Sequence, residues 1–298
     1  MAVGVATAQR PAEPAVRTTS GRLLGLLRHA PVNVILLFIA FLWLVPSFGL
    51  LVTSFRSTAA YSQSGWWKVF TMPSQLTLSA YRSLLKNPDI LRAFRNTWAI
   101  TVPATLLVIL ISAMAAYAFA WGRFKGRDTM FLVLVGLLVV PLQIALIPVA
   151  RLYSTMGIFG SIVGVILFHV GFGLPFAVFL LRNFFVGIPY ELLEAARMDG
   201  ASEFRIFFRL VMPLALPAIA ALAIFQFMWV WNDLLVALIF AGPKAAPMTV
   251  FIQSNLRAFG SSIEVIAPGA FLQLIVPLVV FFAFQRYFVQ GLLAGSVK

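Results

Sequence analysis

The chain contains no cysteine, and only 9 of its 298 residues are acidic. The absence of cysteine excludes disulfides, thiol catalysis and thiolate metal sites. The sequence also lacks a carboxylate pair, a metal-spaced histidine cluster or a Ser/His/Asp set at the end of an apolar run, so we predict that the chain is not an enzyme. No Gly-x-x-x-x-Gly-Lys-Ser/Thr phosphate loop is present. A process driven by ATP would therefore need a partner that binds the nucleotide.

The composition indicates an integral membrane protein. Hydrophobic residues make up 61% of the chain and charged residues 10%, whereas soluble domains contain about 45–50% apolar and about 25% charged residues. A net charge of +13 would suggest nucleic acid as the partner of a soluble protein. Here the basic residues lie mostly between apolar runs, as they do in cytoplasmic loops. We therefore expect contact with lipid and no nucleic-acid partner.

Six apolar runs, each roughly 18 to 26 residues long, predict an all-α membrane protein with six transmembrane helices. The predicted spans are 34–55, 97–121, 130–150, 162–181, 215–240 and 267–284. Prolines inside these runs predict kinks, because neighbouring helices can satisfy the carbonyls that a proline leaves free.

The segments outside the spans divide the rest of the chain. Residues 1–30 are rich in Ala, Pro, Thr and Arg and predict a disordered tail. They do not resemble a signal peptide, because the first apolar run is too long and starts too late. Residues 31–92 contain the first span and an outer loop, and residues 291–298 form a C-terminal tail. The densest basic cluster is the tight connection at 122–127, which predicts that both termini are cytoplasmic.

The loop at 189–213 is the one strongly polar segment between two long apolar runs. Pro189 suits the first turn of a helix, and Glu191 falls where the helix dipole favours an acid. Leu192, Ala195, Ala196 and Asp199 recur at helical spacing, so they predict one face with small residues at its centre.

A second short helix is predicted after the first. Gly200 ends the first helix and Ser202 can cap the next one. Phe204, Phe207, Phe208 and Val211 then predict an apolar stripe that ends before Pro213. Two interpretations remain open at this point. The loop is either an amphipathic interfacial segment whose charges face water, or a protruding element that sits in a socket on a partner.

The loop resembles the EAA loop in the membrane subunits of bacterial ATP-binding-cassette importers. That pattern reads Glu-Ala-Ala, three residues, Gly, nine residues, Ile, one residue, Leu-Pro. The chain has Glu194-Ala-Ala196, Gly200 and Leu210-Val-Met-Pro213 at this spacing. Two positions depart, Leu210 for Ile and Met212 for Leu, and both keep an apolar side chain. The following Asp199-Gly-Ala201 is similar to the carbohydrate-uptake branch.

The resemblance extends from about residue 93 to the C-terminus. Arg95-Asn-Thr97, Ala116-Tyr-Ala118, Trp231-Asn232 and the ending 285–298 are similar to the second permease of maltose-type systems (MalG-like). The resemblance implies a type I ABC importer transmembrane fold over 93–290, in the cytoplasmic membrane of a bacterium. It implies as substrate a carbohydrate, most similar to an α-glucoside or another disaccharide or oligosaccharide.

The resemblance also implies the partners. These are a second, MalF-like permease, two cytoplasmic ATPase subunits that bind ATP and magnesium, and an external solute-binding protein; no cofactor is implied for this chain. The 189–213 loop would be the coupling element that docks on the ATPase, and the 291–298 tail either reaches the ATPase or is frayed. The docking residues would be Glu194, Ala195, Ala196, Asp199, Gly200 and Phe204.

Polar residues inside the predicted spans are candidates for a solute pathway. Asp233 lies beside Trp231 and Asn232, and an intramembrane carboxylate is costly enough to require function or pairing. Aromatic faces beside amide and carboxylate oxygens suit a polyol, although a role for Asp233 as a structural partner of another subunit is an equal alternative. Gln226 and Trp229 are weaker candidates for the same pathway.

His169 is predicted to be a packed, hydrogen-bonded histidine rather than part of a proton relay, because it and Asp233 are isolated and do not form a chain of ionisable groups. A proton-coupled secondary transporter is the alternative function. Such a transporter would require internal repeats and several buried ionisable residues.

Overall fold

The computed structural model describes residues 19–259 and 263–294. In these ranges the regular structure is helical, and β pairing is limited to isolated bridges from Arg56 to Leu76 and from Gly160 to Ala241. The predicted all-α fold class is therefore confirmed. Residues 1–18 of the predicted N-terminal tail and 295–298 of the predicted C-terminal tail lie outside the described residues.

Fourteen α-helices are present in the described ranges, and several of them are single short turns. In chain order they are α1 (Thr19–Ser54), α2 (Thr58–Gln63), α3 (Ser79–Lys86), α4 (Pro88–Trp121), α5 (Arg127–Gly136), α6 (Leu142–Thr155), α7 (Ile162–Val186), α8 (Tyr190–Met198), α9 (Glu203–Ile206), α10 (Met212–Leu214), α11 (Leu216–Trp231), α12 (Leu235–Phe240), α13 (Met248–Phe259) and α14 (Ile263–Ala294). Three 3-10 turns (Trp66–Phe70, Pro73–Gln75, Leu137–Val139) and one π-helical turn (Phe207–Val211) complete the regular structure there.

The chain divides into two units, Met1–Val52 and Thr53–Lys298. The first unit holds most of α1, whose apolar side chains, such as Leu37 and Trp43, are exposed as lipid contact requires. Helix α1 begins at Thr19, so the tail predicted to end at residue 30 is helical over its last part. The leucines and arginines of 19–30 favour a helix, which explains the earlier start.

The second unit is built around the long helix α4. Helix α7 packs along α4, and α11 packs against α4, α7 and α14. Ala104, Ala113 and Ala116 of α4 are fully buried. Small side chains of this kind let helix backbones approach closely in a membrane, so α4 forms the centre of the unit.

Among the described residues, four helices are long and apolar enough to cross a membrane alone: α1 over Pro31–Ser54, α4, α7, and α14 over Ile266–Gln285. Two bent helix pairs raise the number to six if each pair counts as one span. The chain is therefore a multi-pass membrane protein. Six spans are reached only in this way. The two pairs are Arg127–Val139 with Leu142–Thr155, bent by 103°, and Glu203–Leu214 with Leu216–Trp231, bent by 77°.

The third predicted span, 130–150, is bent rather than continuous. Helices α5 and α6 meet at an angle of 103°. Val140 is extended (φ −71°, ψ 117°), as a residue before proline prefers to be, and Pro141 lacks the N–H that would continue the helix. The proline therefore ends one helix and begins another instead of producing a small kink.

The prediction of a continuous fifth span over 215–240 was wrong for its C-terminal part. Helix α11 stops at Trp231, and α12 starts at Leu235. The Asn232 amide donates to the carbonyl oxygen of Met228 (2.8 Å), and the Asp233 carboxylate accepts the N–H groups of residues that begin α12. These side chains satisfy backbone groups at both helix ends, which stabilises the interruption.

The end of α4 that carries residues 95–97 is fastened to the connection before α13. Asn96 Nδ2 donates to the carbonyl oxygens of Lys244 (2.9 Å) and Ala246 (3.0 Å). Thr97 Oγ1 accepts the N–H of Met248 (2.9 Å). The Asn-Thr pair therefore holds the α12–α13 connection against the start of the central helix.

Candidate functional site

The first part of the 189–213 loop is helix α8, which ends in a glycine turn. Pro189 lies directly before the helix instead of inside its first turn. Gly200 has φ +76°, its N–H donates to the carbonyl of Arg197, and the Ala201 N–H donates to that of Ala196 (both 3.0 Å). This pair of bonds is the Schellman arrangement, which requires a left-handed residue and therefore favours glycine. The predicted helix end at Gly200 is confirmed.

The second part of the loop contains α9 and a π-helical turn. The Ser202 side chain accepts the N–H of Arg205, as predicted for an N-cap. The predicted apolar stripe is only half right, because Phe207 and Val211 are buried whereas Phe204 and Phe208 are exposed. Residues 207–211 form a wider, π-helical turn. The α-helical spacing therefore no longer places these four side chains on one face.

The predicted docking residues lie mainly on the outside of the loop. Glu194, Ala195, Asp199 and Gly200 are exposed, and Ala196 is half-buried against the core. Met198 is 88% exposed and Phe204 is 72% exposed. Leu193 and Ile206 are buried and anchor α8 and α9 to the bundle. The loop thus has one anchored face and one open face that is apolar at its centre.

A polar network joins the two loop helices to the end of α4. Arg197 donates to both carboxylate oxygens of Glu203, from Nε (2.8 Å) and from Nη2 (3.3 Å). Arg197 Nη1 also donates to the hydroxyl of Tyr190 (3.0 Å), and the guanidinium lies 5.6 Å from the centre of that ring. The hydrogen bonds that Arg197 donates to Glu203 raise the pKa of Arg197 further above its ordinary value.

The carboxylate of Glu203 has a third donor, the hydroxyl of Tyr117 on α4. The Tyr117 ring packs edge-on against Trp121 and Phe207, with centroids 5.2 and 5.4 Å away. A cavity of about 540 Å³ lies beside this contact. Its walls are Tyr117, Ala118, Trp121, Gly122, Arg123, Tyr190, Arg197 and Glu203.

A second polar region lies inside the bundle, where α11 meets α14 and α7. Trp231 is 1% exposed, and its indole N–H donates to the backbone carbonyl of Gln273 (2.9 Å). The Gln273 amide donates in return to the carbonyl of Trp231 (2.7 Å). This reciprocal pair connects α11 to α14, and it gives Trp231 a packing role. Its predicted role in a solute pathway stays a prediction.

Asp233 is paired with His169, although these residues were predicted to be isolated. His169 Nε2 lies 3.6 Å from Asp233 Oδ2; the His169 side chain is buried, and that of Asp233 is 10% exposed. The carboxylate also accepts the N–H groups of Val236 (3.3 Å) and Ala237 (3.0 Å). Asp233 therefore has a structural role within this chain, because its side chain begins α12 and connects it to α7. Its predicted partnership with another subunit stays a prediction.

Gln226 and Trp229 line a groove of about 280 Å³ between α7 and α11. Gln226 is 4% exposed, and its Nε2 has no hydrogen-bond partner among the described residues. Gly173 makes room for this amide, since a Cβ there would lie 2.9 Å from both Nε2 and Oε1. The remaining walls are aromatic or aliphatic: Phe172, Phe176, Leu222 and Phe225. The groove thus combines aromatic faces with one amide whose nitrogen has no hydrogen-bond partner among the described residues.

Of the five predicted pathway residues, only Gln226 and Trp229 line this groove. The residues that the sequence did not single out are Tyr117, Arg197, Glu203 and Gln273. Arg197 and Glu203 are opposite charges six residues apart, which is a weak signal. Tyr117 and Gln273 act through partners that are distant in sequence. Tyr117 lies in the Ala116-Tyr-Ala118 motif, but that motif does not indicate its contact with Glu203.

The family described as "Binding-protein-dependent transport system inner membrane component" matches residues 108–294. This range includes the whole 189–213 loop and both sides of the groove. The match confirms the resemblance that rested on the loop motif.

Two characterised relatives are similar over most of the chain. The osmoprotective compounds uptake permease GgtD of Synechocystis sp. is 48% identical over 90% of this chain and 92% of its own length. The α-glucoside transport system permease AglG of Rhizobium meliloti is 49% identical over 76% of this chain and 62% of its own length.

A solved bacterial ABC transporter that imports the acidic polysaccharide alginate has a subunit with the same fold. Its TM-score is 0.74 with 24% identity, and the alignment covers 91% of this chain and 98% of the subunit. The type I importer fold expected from the sequence is therefore confirmed. Together the motif, the fold and the relatives show that this chain belongs to the family of inner membrane components of binding-protein-dependent transport systems.

Proposed function

We propose that this chain is a permease subunit of an ATP-driven importer for a carbohydrate, and that its 189–213 loop docks on the ATPase. The observation that carries the proposal is the open face of this loop, which is exposed while the buried Leu193 and Ile206 anchor the loop to the bundle. The permease itself is non-catalytic. Two partner ATPase subunits bind ATP and magnesium, and this chain responds to their closure.

The docking face has the chemistry of a protein contact. Met198 and Phe204 are large, apolar and exposed, whereas Ala195 is small and exposed and permits close approach. Glu194 and Asp199 border this area and supply acceptors for polar groups of a partner. A buried apolar centre with a polar rim is the usual arrangement of a protein interface. Docking of the ATPase places this loop, and both termini, on the cytoplasmic side.

The substrate class is proposed from the relatives and the groove. AglG is named for α-glucosides and GgtD for osmoprotective compounds, so we propose an α-linked disaccharide or oligosaccharide. Aromatic rings such as Trp229 can stack on the C–H faces of a sugar, and the unpartnered Gln226 amide can hydrogen bond to its hydroxyls. The other three predicted pathway residues would lie behind the groove surface and shape the pathway indirectly: Trp231, Asn232 and Asp233.

The remaining partners follow from the importer type. The family description names dependence on a binding protein, which supports an external solute-binding protein. The groove is open on one side, and a second, MalF-like permease would close it. The family and the relatives give no support to the alternative of a proton-coupled secondary transporter.

The test is reconstitution of this chain with its permease partner, ATPase and binding protein in liposomes. We expect ATP-dependent uptake of maltose or trehalose, little uptake of glycine betaine, and no effect of a protonophore. Met198→Glu should abolish co-purification of the ATPase, because it puts a charge at the centre of the docking face. Gln226→Leu should reduce sugar uptake while the ATPase still co-purifies.

Met72→Glu is the matched control, since Met72 is also exposed but lies between the 3-10 turns Trp66–Phe70 and Pro73–Gln75, which are far from the loop in the sequence. It should leave ATPase co-purification unchanged. If Met198→Glu keeps both the ATPase and full uptake, the loop is not the docking element. Uptake that collapses with the proton gradient would support the proton-coupled alternative instead.

A further inference from the structure

We propose that Glu203 is the positioning residue that joins the docking loop to the central helix α4, so that movement of the loop reaches the membrane-spanning bundle. This inference rests on the proposed function, because it supposes that the ATPase moves the loop. It concerns a different contact, the one from the Glu203 carboxylate to Tyr117 and Arg197.

The loop has two kinds of attachment to the bundle. Leu193, Ile206 and Phe207 are buried against the core, and apolar contact of this kind is non-directional. The network around Glu203 is directional, because hydrogen bonds weaken steeply when their geometry is distorted. Apolar burial therefore keeps the loop attached, whereas Glu203 fixes how α8 is oriented relative to α4.

Glu203 is placed to connect three helices with one side chain. It begins α9, receives two hydrogen bonds from Arg197 in the last turn of α8, and receives one from Tyr117 near the end of α4. The carboxylate is 57% exposed. Exposed ion pairs contribute little to stability, so the role of this network is orientation of the loop.

The neighbouring cavity provides the space in which this orientation could change. About 540 Å³ lies between the α4 end and α8, and Tyr117, Tyr190 and Arg197 form part of its walls. When the carboxylate no longer joins these side chains, α8 can tilt into the cavity without moving α4. The network thus makes α8 move together with α4. Helix α4 in turn packs along α7 and α11.

The experiment measures sugar molecules imported per ATP hydrolysed in the reconstituted complex. Tyr117→Phe removes only the hydroxyl, and Glu203→Gln weakens the contacts to both partners. Each should lower this ratio by roughly two- to tenfold, the range expected for loss of one hydrogen bond. The double variant should be no worse than the Glu203→Gln variant, because both changes remove the same contact.

Asp128→Asn is the matched control. Asp128 also forms an exposed ion pair, with Arg127 (3.0 Å), but has no part in the network, so the ratio should stay at the wild-type value. The ATPase should co-purify normally with every variant, which separates this inference from the docking proposal. A wild-type ratio for Tyr117→Phe would overturn the inference, and so would fold-changes that multiply in the double variant.

Discussion

The 189–213 loop differs from the polar region where α11 meets α14 and α7, here called the polar layer. The two satisfy their hydrogen bonds in opposite ways. In the loop, the partners are mostly neighbours in sequence, such as Ser202 with Arg205 and Arg197 with Glu203. In the polar layer, Trp231 pairs with Gln273, which is 42 positions away, and Asp233 pairs with His169. A locally satisfied segment keeps its shape while it is exposed. Hydrogen bonds between residues distant in sequence keep the helices in register. Loss of such a bond therefore affects several helices together.

The largest expected effect tests the long-range layer. Trp231→Ala removes a fully buried indole and should destabilise the protein by about 3–5 kcal/mol, measured as thermal unfolding of the purified protein in detergent. Trp231→Phe keeps most of the packing and loses the hydrogen bond to Gln273, so its cost should be about 1 kcal/mol. Equal stability of the Ala variant and the wild type would show that α11 and α14 do not depend on this contact.

An intermediate effect tests the local geometry of the loop. Gly200→Ala places a Cβ on a residue with φ +76°, which costs about 1–2 kcal/mol. We expect the end of α8 to be distorted, and the amount of co-purified ATPase to fall by roughly five- to thirtyfold as that cost implies. Gly136→Ala is the control, because Gly136 lies in α5 with open space around it and should be neutral or stabilising. Full ATPase binding by the Gly200 variant would contradict the role of the Schellman turn.

The smallest expected effect compares two glycines of α7. Gly173→Ala would place its Cβ 2.9 Å from the Gln226 amide, whereas Gly171→Ala would meet nothing within 4 Å. The Gln226 side chain can move aside, at a cost of about 0.5–1.5 kcal/mol for an unfavourable rotamer. We therefore expect a modest loss of stability and a clear loss of sugar uptake for Gly173→Ala alone. Identical sugar uptake by the two variants would show that Gln226 does not take part in the solute pathway.

The sequence was sufficient wherever the structure depends on chemistry within a few residues. The helix end at Gly200, the cap at Ser202 and the exposure of Glu194 all follow from local patterns, and the length of the apolar runs predicts α4 and α7. Local patterns were not sufficient where tertiary partners decide. A carboxylate that begins a new helix, as Asp233 does for α12, has the same sequence signal as a carboxylate inside a continuous span.

The two bent pairs illustrate the same limit. A proline such as Pro141 predicts a disturbance, but its surroundings determine whether the chain kinks slightly or turns by 103°. The contact from Tyr117 to Glu203 has no local signal, because it depends on how α4 and the loop pack. The π-helical turn at 207–211 was missed for a similar reason, since its residues are compatible with an ordinary helix.

The interruption at residues 232–234 has a mechanical consequence. A helix transmits rotation along its axis only while its backbone hydrogen bonds are continuous, and here α11 ends before α12 begins. Helix α12 packs against α6 and α7, while α11 carries the groove wall. The interruption therefore ends the helical hydrogen-bond ladder between the helix that carries the groove wall and the helix that packs against α6 and α7, so a rotation of α11 is not passed to α12 through a continuous helix.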